Sequence, residues 1–292
     1  MIKNKSFSSV LVDVIIYVVL TLFALITLIP FYSILVGSLA SARENALHPL
    51  LLWPREPTLD SYRYILSTAT MPRALLTTIY ITIVGTAVNI AMSVLMAWPL
   101  AHKRIMGRHA LMFFVTFTLL FNGGMIPNYF IVRGTGLMNS WAALIIPSAI
   151  NAFNLILMKN FFQEIPASLE ESAKLDGAND LGILIRIVIP LSMPSIATFT
   201  LFYAVAHWNS FMNVLLYIND STKWTIQVLL RQIVILSQGG VGDSSTLGDS
   251  FVIPPQGVKM AAIMFSTFPI LCVYPFLQKY FIKGVMAGSI KG

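Results

Sequence analysis

Residues 169–190, LEESAKLDGANDLGILIRIVIP, form the stretch from which the arrangement of the whole chain can be inferred. They hold four of the twelve Asp and Glu residues in a chain of 292 residues that is 57% hydrophobic and 11% charged. A soluble domain usually carries about 25% charged residues, so most of this chain suits a lipid environment. The polar stretch is therefore expected to lie outside the bilayer, between membrane-spanning segments.

Apolar segments on both sides of this stretch are long enough to cross a membrane. A transmembrane α-helix needs roughly 20 mostly apolar residues. Six segments reach or approach that length, at residues 14–36, 74–100, 110–132, 142–162, 197–218 and 260–277. The first is longer than the core of a cleavable signal, which has about 7–15 residues, so we interpret it as an uncleaved span.

Basic residues predict the orientation of these spans. Six spans place both termini on one side. With the N-terminus, residues 101–109, residues 159–196 and the tail from Lys279 in the cytoplasm, eleven of the nineteen Lys and Arg residues lie inside, as the positive-inside rule favours. The short loop AHKRIMGRH at 101–109 carries most of this signal. Orientation also explains the net charge of +7, so no nucleic-acid partner is expected.

The chain is expected to divide near residue 73. Residues 1–73 would hold the first span and the first extracytoplasmic loop, which is expected to pack as a small cap or short helix. Residues 74–292 would hold five spans, with three further parts at 166–190 (the polar loop), 219–259 (an extracytoplasmic loop) and 283–292 (a C-terminal tail). The outer loops are interpreted as either solvated connectors or a docking surface for an external partner.

The third span is interrupted by FNGGMIP at residues 121–127. Paired glycines and a proline interrupt a helix and leave backbone N–H and C=O groups without hydrogen bonds, which hydrocarbon cannot supply. The break therefore predicts either contact with protein or a watery cavity, or else a simple kink.

The sequence shows no catalytic constellation, and its few ionisable groups within the spans disfavour ion coupling. His207 is the one clearly central ionisable group in the spans, whereas ion-coupled transporters usually need such groups in the membrane. The nearest approach to a phosphate-binding loop, Gly177 and Gly182, is followed by isoleucine. No metal-ligand cluster or hydrolytic triad is visible. We expect a chain that is not an enzyme and holds no cofactor, so that another subunit supplies any energy.

Residues 166–190 are predicted to form a helix, a tight turn and a second helix. Ser168 and Glu171 have capping-box spacing. Gly177 can end the first helix in a left-handed conformation, after which Asp180 can cap the second. Pro190 is expected to terminate it.

The first of these helices, residues 169–176, would rise only about 12 Å and is marginal alone in water. Small Ser172 and Ala173 would let another backbone approach closely. Its charged residues could contact a polar pocket on a partner protein; they are Glu170, Glu171, Lys174 and Asp176. We interpret the helix as a plug that inserts into a pocket of a partner protein. The alternative is a helix that lies on lipid headgroups, although such helices usually carry Lys and Arg on their polar face.

The same residues resemble the EAA loop of permease subunits in binding-protein-dependent ABC importers. The pattern is E-[AS]-A-x-x-D-G-A, followed by I-x-[LI]-P. The matching residues are Glu171, Ser172, Ala173, Asp176, Gly177, Ala178, Ile187 and Pro190. Three other parts of the chain are similar to the carbohydrate branch of these permeases, in particular to the maltose permease that carries a C-terminal tail. They are the segment just before the loop, HWNSF at 207–211, and FIKGVMAGSIKG at the end of the chain. PPQGVKMA also resembles the sub-branch for complex oligosaccharides and alginate.

This resemblance implies an all-α integral membrane protein with about six transmembrane helices and a cytoplasmic EAA coupling-helix loop. It implies a multi-pass protein of the bacterial inner membrane with both termini in the cytoplasm. The implied partners are a second permease forming a heterodimer, two ATPase subunits that bind ATP and Mg, an extracytoplasmic solute-binding protein and a carbohydrate. Glu170 and the eight matching residues would contact the ATPase, and the tail residues Gly284, Gly288 and Lys291 would reach the ATPase interface.

Polar and aromatic residues recur in the later spans and suit a carbohydrate path. The candidates are Asn122, Asn151, Asn154, Tyr203, His207, Trp208, Asn209 and Asn213. Polar residues also join helices in membranes, so each either lines the path or packs helices. Asn151 and Asn154 are expected on one helix face because they lie three residues apart. The alternative function is an ion-coupled secondary transporter or channel that works without an ATPase.

Overall fold

The computed structural model describes residues 7–48, 51–237 and 256–289, and all the regular elements in these ranges are helices. The α-helices are α1 Phe7–Ser38, α2 Ala42–Leu47, α3 Asp60–Ser67, α4 Thr70–Ala101, α5 Arg108–Leu120, α6 Met125–Gly134, α7 Ala142–Ile145, α8 Ala152–Gln163, α9 Ala167–Leu175, α10 Asp180–Ile183, α11 Ile189–Leu191, α12 Met193–Trp208, α13 Met212–Tyr217, α14 Ile226–Ser237 and α15 Gln256–Ser289. The expected all-α class is confirmed.

Within these ranges, three helices are individually long and apolar enough to cross a bilayer. They are Val10–Ser38, Thr70–Ala101 and Gln256–Val273. Two bent pairs pass the same test together, which raises the number to five. Ala142–Ser148 and Ala152–Gln163 meet at 53°, and Asp180–Leu191 and Met193–Trp208 meet at 84°. The fourth expected span, 142–162, is therefore bent, whereas the fifth, 197–218, is divided, because α12 ends at Trp208 and α13 begins at Met212.

The third expected span is two short helices, α5 of 13 residues and α6 of 10. Gly124 has φ +83°, a conformation that glycine adopts without a steric penalty. Its N–H is bound by the Asn122 side-chain oxygen at 2.8 Å. The predicted interruption is confirmed, and each half is too short to cross a bilayer alone.

One compact unit comprises residues 1–69 and 230–268. In it the segment after α1 folds back on the end of that helix. The Asn45 amide donates to the Gly37 carbonyl at 2.9 Å, and Ser38 Oγ lies 2.8 Å from Tyr62 OH. Met260 packs so closely on Gly37 that an added Cβ would collide with its sulfur. The small cap expected after the first span thus contains two short helices, α2 and α3.

The second unit comprises residues 70–229 and 269–292 and is built around α4. Helices α8 and α12 pack along α4. Their shared apolar core contains Val94, Ala97, Trp98, Leu100, Val115, Leu155, Met158, Phe162, Ile183, Leu184, Val188, Ile196, Phe199 and Tyr203. Because Ile183 and Val188 belong to this core, the segment after α9 is anchored to the spans.

Candidate functional site

Helix α9, Ala167–Leu175, ends in a Schellman turn at Gly177. Gly177 has φ +82° and donates its N–H to the Lys174 carbonyl at 3.0 Å, while Ala178 N–H reaches the Ala173 carbonyl at 2.9 Å. These two bonds satisfy carbonyls that a helix end otherwise leaves open. The predicted left-handed glycine is confirmed.

Both predicted caps were wrong. Pro166 occupies the N-cap position of α9, and the Leu169 N–H donates to the Pro166 carbonyl at 3.1 Å. Ser168 is therefore already inside the helix and caps nothing. Asn179, not Asp180, caps α10, because its extended backbone directs its side-chain oxygen to the Gly182 N–H at 2.7 Å. Asp180 instead lies in the first turn.

Pro190 lies one residue before the end of the helical segment Asp180–Leu191, so the second helix ends close to the expected residue. The segment Leu184–Val188 is a π-helical turn, in which the Ile189 N–H bonds to the Leu184 carbonyl. Proline lacks an N–H, so the α-helical pattern cannot continue through it. Pro190 is tolerated at the start of α11. Ile187 is half-buried against the apolar core, whereas Pro190 is exposed.

The inward side of α9 is joined to the end of α4. Glu170 Oε2 lies 2.8 Å from His102 Nε2, and the other ring nitrogen of His102 lies 3.0 Å from the Trp98 carbonyl. The His102 ring also meets Trp98 edge-on at 4.3 Å. Loop 101–109 and α9 therefore lie on the same side of the spans, as the charge pattern predicted. Sequence reasoning missed His102, for which the one signal was its place in the basic loop.

The outward side of α9 carries exposed residues of mixed chemistry. Leu175 is 90% exposed and Leu169 is 41% exposed. Glu171 and Ser172, four and three residues before Leu175, share its face and are exposed, whereas Ala173 is half-buried against the core. Lys174 pairs with Asp180 at 3.1 Å and closes the turn. Asp176 and Ala178 are exposed in that turn.

A buried polar contact joins α4 to α12 halfway along α4. His207 Nε2 lies 2.6 Å from Asn89 Oδ1, and the Asn89 amide donates to the Ser148 carbonyl at 2.5 Å. His207 also lies against Gly85, where an added Cβ would approach Nε2 to 2.6 Å. Gly85 thus makes room for the imidazole. His207 and Asn89 together tie α12 and the residues before α8 to α4.

Tyr203 forms a second polar contact on the same face. Its hydroxyl lies 2.8 Å from Ser93 Oγ and accepts the Asn151 N–H at 3.2 Å. The Asn151 side chain caps α8 by accepting the Asn154 N–H at 3.1 Å. Asn154 is buried and Asn151 is exposed, so the two do not share one helix face as expected.

The remaining path candidates are spread over the second unit. Trp208 is buried, and its Nε1 has no hydrogen-bond partner within the described part of the chain. Asn209 is exposed and donates to the Val205 carbonyl at 2.9 Å. Asn213 is exposed on α13, and exposed Asn122 lies in the break after α5. Tyr203 and His207 are the candidates that the fold brings together through α4.

The tail candidates are only partly described. Gly284 and Gly288 lie within α15, and Lys291 is outside the described residues. The tip of the 219–259 loop, residues 238–255, is also outside them. Among the described residues, no group of three or more His, Cys, Asp or Glu could hold a metal ion.

Comparison with known proteins identifies the class. Residues 2–287 match the family described as binding-protein-dependent transport system inner membrane component, and the chain belongs to that family. It is therefore a multi-pass membrane component of a transport system, and the resemblance inferred from the EAA pattern is confirmed.

Individual relatives refine this class. The polygalacturonan/rhamnogalacturonan transport system permease protein YtcP of Bacillus subtilis is 53% identical over 290 residues, covering 99% of this chain and all of that protein. A solved bacterial ABC transporter involved in the import of the acidic polysaccharide alginate contains a chain that is 34% identical, with TM-score 0.86 over 94% of this chain and 98% of that one. A chain of a bacterial alginate ABC transporter, solved with a periplasmic protein that holds an alginate pentasaccharide, is 17% identical with TM-score 0.57 over 94% and 96% of the two chains, which shows the fold alone.

Proposed function

We propose that this chain is a permease subunit of an ATP-driven importer of acidic oligosaccharides, and that it forms the translocation path together with a second permease. The observation that carries the proposal is α9, a short helix whose inner side is tied to the spans and whose outer side is exposed. Full-length similarity to a galacturonan permease and to a chain of an alginate importer supports the substrate class.

Helix α9 is the proposed contact with the ATPase. A nine-residue helix is marginal alone in water, and Leu169 and Leu175 gain favourable burial when a partner covers them. Glu171 and Ser172 supply polar contacts beside Leu175. Two ATPase subunits, which bind ATP and Mg, would take one coupling helix from each permease.

The His102–Glu170 pair gives the coupling helix a direct mechanical link to α4. A movement of α9 with the ATPase would apply a force to the cytoplasmic end of α4. Because α4 holds α12 through Asn89 and Ser93, these helices would move as a unit. In this way ATP-driven closure of the ATPase subunits would open or close the path without any reaction in this chain.

Both termini are proposed to lie in the cytoplasm. The contact between loop 101–109 and α9 supports one shared face for these two segments. That face carries the basic loop, as the positive-inside rule favours for the cytoplasm. A solute-binding protein would then deliver the saccharide to the opposite face.

The decisive experiment uses the complete importer. The chain is co-expressed with its second permease and ATPase, purified, and placed in liposomes with the solute-binding protein and labelled trigalacturonate. Uptake that requires both ATP and the binding protein is expected. Uptake driven by a proton or sodium gradient without any ATPase would instead establish the secondary transporter.

A pair of variants tests the docking face. Leu175→Asp should release the ATPase during purification, because a carboxylate would replace a leucine that is 90% exposed in this chain and covered in the complex. Met106→Asp is the matched control, since Met106 is 97% exposed on the same side but outside α9. Equal ATPase retention in both variants would contradict the assignment of α9.

A further inference from the structure

A cleft of about 550 Å³ lies at the opposite end of α4 from the coupling helix. Arg73, in the first turn of α4, borders this cleft, and Ala101 ends the helix 28 residues later. At a rise of about 1.5 Å per residue, the two ends are about 42 Å apart. In the proposed orientation the cleft therefore opens on the side from which the solute arrives.

The walls of the cleft are aromatic and basic. Tyr80 on α4 and Trp141 before α7 form one wall, with ring centroids 5.0 Å apart and planes inclined by 48°. Arg73 stands on α4, and the turn Ser221–Lys223 contributes Thr222 and Lys223. The volume falls within the range of about 300–1,000 Å³ usual for small-molecule sites.

A hydrogen-bonded corner holds these walls in place. Asn139 has φ +58°, a conformation uncommon outside glycine. It donates its N–H to the Tyr217 carbonyl at 2.7 Å and accepts the Asp220 N–H on its side chain at 3.0 Å. Lys223 Nζ donates to the Asn139 carbonyl at 2.8 Å, and Trp141 Nε1 to the Lys223 carbonyl at 3.3 Å. The aromatic wall and the basic turn are thus positioned before any ligand binds.

Charge in the cleft is not balanced within the described chain. Asp220 accepts the Thr222 hydroxyl at 2.7 Å and the Thr222 N–H at 2.9 Å, and Lys223 Nζ lies 3.8 Å away. The Thr222 hydroxyl and N–H hold the pKa of the Asp220 carboxyl below its ordinary value, helped by the charges of Lys223 and Arg73. Arg73 has no carboxylate within 4.0 Å among the described residues, and it is exposed.

We propose that this cleft receives a carboxylate-bearing sugar unit of the incoming oligosaccharide. Arg73 presents a planar fork that matches a carboxylate, and the Tyr80–Trp141 wall offers flat apolar faces to the sugar ring. The Thr222 hydroxyl, within the basic turn, donates its proton to Asp220 and can still accept a hydrogen bond from the saccharide. The inference rests on the proposed function for the side of the membrane and for the acidic substrate.

Equilibrium binding to the purified importer tests this site. The intact complex, in nanodiscs and without the solute-binding protein, is titrated with trigalacturonate and with its fully methyl-esterified form. Wild type should prefer the acid. Arg73→Gln should bind the acid roughly fivefold more weakly, the effect of losing one exposed ion pair of about 1 kcal/mol, and should leave ester binding unchanged.

Arg133→Gln is the matched control, because Arg133 is an exposed arginine at the end of α6 outside the cleft. It should bind the acid as wild type does. The inference is overturned if Arg73→Gln and wild type bind the acid equally, if wild type binds acid and ester equally, or if wild type binds neither. Equal losses in the two arginine variants would show general charge attraction and would also overturn it.

Uptake by the wild-type importer separates this inference from the proposed function. If the wild-type importer takes up trigalacturonate with ATP but Arg73→Gln binds the acid as wild type does, the proposed sugar site in the cleft is wrong and the proposed function stands. If wild type prefers the acid and Arg73→Gln weakens this binding, but the importer takes up no trigalacturonate, the proposed substrate is wrong and the proposed sugar site is retained.

Discussion

Glu170 contacts His102 at the end of α4, whereas its neighbour Glu171, about 100° further round α9, is exposed. The Glu170 carboxylate lies 2.8 Å from His102 Nε2, with the two side chains 16% and 31% exposed. Both ring nitrogens of His102 face acceptors, the Glu170 carboxylate and the Trp98 carbonyl. Glu170 therefore ties α9 to the residue that follows α4.

Glu170→Ala should loosen α9 from α4 and lower the uptake achieved per ATP hydrolysed several-fold. The lost pair is worth about 1 kcal/mol because both side chains are partly exposed, so the complex should still assemble. Uptake and ATP hydrolysis are measured on the same proteoliposomes, and His102→Ala should behave in the same way.

Glu171→Ala is the matched control for this prediction. Its carboxylate faces outward, so the change should weaken ATPase retention during purification instead of coupling. If Glu170→Ala and Glu171→Ala give the same profile, the division of α9 into an inner and an outer side is incorrect.

Gly177→Asp should uncouple ATP hydrolysis from uptake. A non-glycine residue in the left-handed region costs about 1 kcal/mol, and a carboxylate is added beside the docking face. An added Cβ at Gly177 meets nothing within 4 Å among the residues that the structure describes, so the subunit should still fold. Binding-protein-stimulated ATPase activity is the measurement.

Gly177→Asn separates backbone conformation from charge, because asparagine tolerates the left-handed region and carries no charge. We expect it to retain most of the coupling. An Asp variant with full stimulated activity, or an Asn variant as damaged as Asp, would contradict this account.

Gly85→Val should destabilise the packing of α4 on α12. The added side chain would begin 2.6 Å from His207 Nε2, and overpacking of this kind costs about 1–3 kcal/mol. The melting temperature of the purified complex should fall. Ala87→Val, on an exposed position of the same helix, should leave it unchanged, and equal melting temperatures for the two variants would argue against the close contact.

Asn89→Leu should destabilise the complex more than Ser93→Ala does. Leucine leaves both His207 Nε2 and the Ser148 carbonyl without their partner, whereas the Tyr203 hydroxyl keeps the Asn151 N–H after Ser93 is changed. Polar contacts in membranes average about 0.6 kcal/mol, so the difference in thermal stability is modest. The difference is measured by thermal unfolding in nanodiscs. If Ser93→Ala lowers the melting temperature more than Asn89→Leu does, Asn89 is not the main polar contact between α4 and α12.

Local signals predicted local structure well. The glycine at 177 had to be left-handed for two helices to meet in so short a turn, and FNGG had to break the third span. The cap predictions at Ser168 and Asp180 failed because Pro166, two residues earlier, and Asn179, one residue earlier, also permit a helix start. The choice between neighbouring starts depends on how the segment packs on the core, which the local pattern does not contain.

The sequence by itself determined the lipid environment, the helical class, the polar loop and its glycine, because each depends on composition or on backbone bonds within a few residues. Only the tertiary structure decided which glutamate turns inward, which amide holds His207, and that Arg73, Trp141 and Lys223 border one cleft. The Glu170–His102 and His207–Asn89 contacts span 68 and 118 residues. Such pairings depend on which helix faces meet, and that is set by the packing of the whole unit and not by any local pattern.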